Sequence, residues 1–185
     1  LPLEPIVAAL DRRAQAVRSA MPEGPGALID FILERYHGRH RAELPGLIAL
    51  AAEVEATARG RPDAPEGLAE LLDGLRAGLE EHMIKEELRV FPLMRAGRGD
   101  LLAGALALMR DEHEDNAPSL LRAAQLTGGF RPPADANPEW RRLCADLARF
   151  ADDLVAHVYI EESVLFPRFE AAAAAGQPTA RPQRS

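Results

Sequence analysis

Two stretches of the chain, HMIKEELRVFPLM at 82–94 and HVYIEESVLFPRF at 157–169, both read H-x-x-x-E-E-x-x-x-F-P. On a helix, a histidine and a glutamate four residues apart stack on one face about one turn from each other. His82 is thereby paired with Glu86, and His157 with Glu161. Imidazole and carboxylate together suit Fe, Mn, Zn or Co. A single cysteine supplies no thiolate set for a bound iron–sulfur cluster. The chemistry that these pairs offer is cation coordination.

Each pair continues an apolar stripe, so it points inward. One stripe runs Leu75, Leu79, His82, Glu86, Val90, and the other runs Leu147, Phe150, Leu154, His157, Glu161, Leu165. Two further stripes carry a histidine in the same way: Ile29, Leu33, His37, Leu44, Ile48, and Leu102, Leu106, Met109, His113, Ala117, Leu120. A buried ionised carboxylate must be paired or neutralised. Four histidines and two glutamates at one level of a core therefore call for counter-charge, which two divalent or trivalent cations supply.

The set divides into two imidazoles per ion with both carboxylates bridging. An oxo or hydroxo bridge then leaves about one open position per octahedral ion, where O₂ or NO can bind. The candidate metal ligands are His37, His82, Glu86, His113, His157 and Glu161. Glu87 and Glu162 are rotated by about 100° from their neighbours, toward solvent or a layer behind the ligands. His40, one turn past His37, reads as a supporting or surface residue, with direct ligation as the alternative. Asp111, Glu112 and Glu114 flank His113 as candidates to orient its ring, or as a solvated charge run.

Four helices must position these groups. Gly- and Pro-rich breaks delimit stretches at roughly 26–58, 66–96, 100–127 and 138–172. Short connections imply antiparallel neighbours, hence an all-α up-down-up-down four-helix bundle. His82 and His113 lie equally deep from the turn that joins their helices. Across the other two connections the histidines are offset by ~8–9 Å at the helical rise. Pro45 and Pro118 fall inside helices and should kink them, while Pro92 and Pro167 sit near helix ends. Residues 1–25 form an N-terminal arm, 26–172 the bundle, and 173–185 a disordered tail.

The chain has 185 residues, 47% hydrophobic and 28% charged, with 5% aromatics, a balance that fits one α-helical domain. A net charge of −7 argues against a nucleic-acid face. No stretch nears the ~20 apolar residues of a membrane span. Cys144 lies among apolar helical residues and reads as core filling, and one cysteine with no signal peptide suggests a reducing, cytoplasmic location.

RYHGRHRAELPGL, HMIKEELRVFPLM, MRDEHEDN and HVYIEESVLFPRF, in this order, resemble the hemerythrin-like domain of iron–sulfur cluster repair di-iron proteins, and LTGGFRPP and EWRRL fit the same pattern. The resemblance covers about residues 27–169. It implies that His37, His82, Glu86, His113, His157 and Glu161 hold two non-haem iron ions. It further implies repair of clusters damaged by nitric oxide or oxidative stress, with iron donated to damaged iron–sulfur proteins or apo-acceptors and NO bound at the iron pair. Members commonly carry an N-terminal domain with adjacent cysteines, where this chain has a cysteine-free arm. Many have a histidine where Ala58 stands, and two Asn where Glu162 and Ser163 stand. A carrier or sensor of NO or O₂ without repair activity is the alternative on the same scaffold, and an NO-reducing or peroxide-removing enzyme is a third. Either a monomer or a homodimer is compatible with the chain.

Overall fold

The computed structural model describes residues 21–170. Among them there is no strand, and four helical rods account for most of the chain. Rod α1 runs Pro25–Ile32, opens into a π turn at Leu33–His37 and continues as Gly38–Thr57. Rod α2 runs Leu68–Lys85, opens at Glu86–Val90 and closes with Phe91–Arg95. A 3₁₀ turn, Gly99–Leu101, leads into α3 at Ala103–Leu126. Rod α4 runs Pro138–Ile160, opens at Glu161–Leu165 and stays helical to residue 170. The expected bundle is therefore present. The expected tail, and all of the arm before residue 21, fall outside the described residues.

Local chemistry explains the ends. Pro138, whose missing N–H costs nothing in a first turn, opens α4, and the Asn137 side chain accepts a 2.8 Å bond from the Trp140 N–H. Rod α2 ends at Gly97, whose φ of +68° favours glycine. There Gly97 N–H donates to the Met94 carbonyl at 3.0 Å and Arg98 N–H to that of Leu93 at 2.9 Å, the paired bonds of a Schellman cap. Rods α2 and α4 do not stop at their prolines. Pro92 and Pro167 each follow a π turn and the helix resumes. A proline ring clashes with the carbonyl four residues back, and a widened turn relieves that clash.

Rod α1 packs along α2 and α4, and α2 packs along α3. At one end of the bundle α1 and α4 overshoot the other two rods, and the connections 58–67 and 127–137 fold back to meet them. Arg61 braces these connections. Its guanidinium reaches Asp63 at 2.9 Å and Asp135 at 2.8 Å and lies 5.3 Å over the Trp140 ring. This overshoot absorbs the axial offset expected from the sequence. The core is split in two. One cluster gathers Leu44, Leu72, Leu79, Leu147 and Phe150, the other Leu28, Phe91, Leu106, Ile160 and Phe166. Between the two lies a polar layer.

Candidate metal centre

That layer contains all six residues expected from spacing, every one buried: His37, His82, Glu86, His113, His157 and Glu161. Their ligand atoms fall into two groups that share both glutamates. His37 and His157 join Glu86 and Glu161 in one group, and His82 and His113 join them in the other, with all donor atoms in each group within 4.8 Å. Three of the four rods place their candidate ligands at π turns. His37 ends the turn in α1, while Glu86 and Glu161 begin those in α2 and α4. Such turns recur at functional sites because the extra residue re-aims the side chains around it. The sequence pattern gave no hint of them.

Glu86 Oε2 lies 3.3 Å from His37 Nε2 and 3.5 Å from His82 Nε2. Glu161 Oε1 lies 2.8 Å from His157 Nε2, and Oε2 lies 3.2 Å from His113 Nε2. Each glutamate thus spans two rods. Both Glu86 oxygens and Glu161 Oε2 lack an aligned hydrogen-bond donor despite full burial. Burial and the neighbouring Glu161 push Glu86 well above its usual range. Burial opposes ionisation of Glu161 too, but His157 and His113 outweigh it and hold that carboxyl well below its usual range. Without a cation, then, the layer carries one carboxylate that resists charge.

Three of the imidazoles lean on a carboxylate behind them. His37 Nδ1 is 2.8 Å from Glu87, His82 Nδ1 is 2.9 Å from Glu112, and His113 Nδ1 is 2.8 Å from Glu162. Burial opposes ionisation of Glu87 and Glu112, yet Arg41 beside the first and Lys85 beside the second hold both below the usual carboxylate value. An ionised carboxylate only accepts, so the proton of the His37 and His82 rings sits on Nδ1. The Nε2 lone pairs then point inward. Burial first, then the neighbouring His157, lowers His37 to about 4, and burial also lowers His82, so both rings stay neutral.

The inward lone pairs are the test of fit. His82 Nε2 lies 3.0 Å from His113 Nε2, with both Nδ1 atoms already committed to carboxylates. His37 Nε2 lies 3.1 Å from His157 Nε2. A proton or a cation must lie between facing nitrogens, and Glu161 and Glu162, which raise His113 despite its burial, favour the proton when no cation is there. Two nitrogens that bond one cation at ~2.1 Å and right angles stand ~3 Å apart. The donor set and spacing fit two cations.

Glu112 does not orient the neighbouring His113, as its position in the sequence suggested. It reaches across to His82, and Glu162 of α4 holds His113. The reason is helical geometry, since residues adjacent in sequence point about 100° apart. Glu87 and Glu162 are turned toward rings on other rods rather than toward open solvent. Asp111 and Glu114 are exposed. His40 is fully buried beside the layer and belongs to neither donor group. Between α3 and α4 a cavity of about 160 Å³, walled by Leu79, Leu120, Leu154 and Val158, reaches His82, His113 and His157. Among the described residues no helix is long and apolar enough to cross a membrane.

Known proteins share this pattern. The family model for the hemerythrin HHE cation binding domain matches residues 28–169. The iron-sulfur cluster repair protein YtfE of Musicola paradisiaca (strain Ech703) is 37% identical over 166 residues, which cover 90% of this chain and 75% of that protein. Its namesake from Edwardsiella ictaluri (strain 93-146) is 39% identical over 166 residues with the same two coverages.

Proposed function

Because this chain belongs to the hemerythrin HHE cation-binding family, we propose that it is a non-haem di-iron protein that repairs damaged iron–sulfur clusters by donating iron. His37 and His157 would hold one ion and His82 and His113 the other, with Glu86 and Glu161 shared between the two groups. The observation that carries the assignment is the shared pair of buried glutamates, each set between imidazoles whose lone pairs converge. The names of the relatives support the repair role. When bound, an iron pair supplies Lewis acidity and a redox couple.

The chain's own residues do the rest. Glu87, Glu112 and Glu162 fix the tautomer of three rings and raise their basicity. Arg41 and Lys85 keep the first two of those carboxylates ionised. The two apolar half-cores exclude water above and below the layer. Iron that leaves this layer is the cargo, and damaged iron–sulfur proteins are the acceptors.

The test is recovery of a nitric-oxide-damaged, cluster-dependent dehydratase incubated with the iron-loaded chain. Recovery is expected with the unaltered protein and lost with Glu86→Leu combined with Glu161→Leu. Equal recovery with the double variant would overturn the assignment. The cavity that reaches three of the rings favours a companion role in binding NO or O₂, small uncharged molecules that suit an apolar path. Stoichiometric gas binding without iron transfer to an apo-acceptor would make that role the primary one.

A further inference from the structure

The four imidazoles are not supported alike. His37, His82 and His113 each have a carboxylate at Nδ1, but the Nδ1 of His157 has no hydrogen-bond partner although the residue is only 1% exposed. Beside it lies His40, fully buried, with neither ring nitrogen hydrogen-bonded. The two ring centres are 5.4 Å apart with planes tilted by 40°. With a ring nitrogen of each turned along the line between centres, that separation puts the two nitrogens roughly 3 Å apart, at hydrogen-bonding distance. Tyr36 stacks flat on His157 at 5.4 Å, and Phe150 meets His40 edge-on at 5.3 Å. The pair is therefore boxed in apolar and aromatic surface, where two unpaired polar groups are costly unless they satisfy each other.

We propose that His40 is a positioning residue that accepts the Nδ1 proton of His157, and that this neutral support makes the His37–His157 position the weaker and first-released of the two cation positions. The inference rests on the two-cation assignment above and deepens it by naming the ion that is donated. A carboxylate behind a ligand imidazole raises its basicity and strengthens its hold, whereas a neutral acceptor fixes the ring without adding charge. The His82–His113 position has two carboxylate-backed rings. The His37–His157 position has one. Burial suits His40 to this task, since its ring stays uncharged and keeps a lone pair to offer.

The test loads the full chain with ferrous iron, counts ions per chain, and follows their release to a chromogenic chelator. The unaltered protein should release iron in two phases of one ion each. His40→Leu should speed the faster phase by ~10–100-fold and leave the slower one in place. His40→Gln, which keeps an acceptor, should restore the original rate. Mössbauer spectra should show two doublets of equal area, only one of which moves in His40→Leu. Two bound ions leaving in a single phase, a Leu variant that speeds both phases alike, or a Gln variant that behaves as Leu would overturn the inference. Fewer than two ions in the unaltered chain would instead overturn the two-cation assignment itself, so the two failures are distinct. The release profile of the unaltered protein needs no substitution, so a variant that fails to fold leaves the question answerable.

Discussion

Glu87 Oε1 stands 2.8 Å from His37 Nδ1 and 2.7 Å from Arg41 Nη1, so one carboxylate from α2 ties a ring of the polar layer on α1 to a cation one turn further along it. Glu112 does the same for His82 of α2, with Lys85 as its cation. Replacing either glutamate by Gln keeps size and removes charge. Each single variant should weaken iron binding by ~10–100-fold in a chelator competition while the fold is retained. Unchanged affinity would mean that the carboxylates only brace the rods.

Glu86 is fully buried with both oxygens unsatisfied by hydrogen bonds. Glu86→Leu should therefore stabilise the metal-free protein, by ~1–3 kcal/mol from the removed desolvation penalty. The same change should abolish binding of two ions. Urea denaturation with and without iron measures both effects, and a less stable metal-free variant would count against the cost assigned to this carboxylate.

Iron should stabilise the folded chain, because the unfolded one cannot gather ligands from four rods. At a free concentration 100-fold above its dissociation constant, each site adds ~2.7 kcal/mol. Thermal midpoints recorded across a chelator series should fall with free iron, and a midpoint indifferent to chelation would exclude binding at this layer.

Burial, with His157 and His37 nearby, lowers His40 from 6.5 to about 3. Below pH 6.5 the unfolded chain binds this proton and the folded chain does not, so stability falls as pH drops from about 6.5 toward 3, by up to ~1.4 kcal/mol per unit for this group. His37 acts in the same direction between 6.5 and about 4. His82, which burial lowers, adds to them, while His113, raised by Glu161 and Glu162 despite its burial, and Glu86, raised by burial and Glu161, oppose them. Denaturation of the chelator-treated protein between pH 7.5 and 5 should show His40→Leu losing less stability than the unaltered protein as pH falls. Parallel curves would refute the assignment.

The bundle and the six inward residues were legible because both depend on i, i+4 periodicity, which survives tertiary packing. What was hidden depends on breaking it. The π turns at His37, Glu86 and Glu161 leave no i, i+4 trace, and the Phe-Pro pairs after two of them read only as prolines near helix ends. The partners of the rings were hidden for another reason. Glu112 serves His82 and Glu162 serves His113 across rod boundaries, and one-dimensional spacing carries no information about which faces meet. His40 read as a supporting or surface residue one turn past His37, and spacing could not show that the ring it packs against is His157 of α4.

The polar layer divides the interior into two apolar halves. A chain that has handed over its ions must hold those halves together across a stratum of unneutralised groups. Under the proposed iron donation, the metal-free chain should be cleaved faster by a protease than the iron-loaded chain.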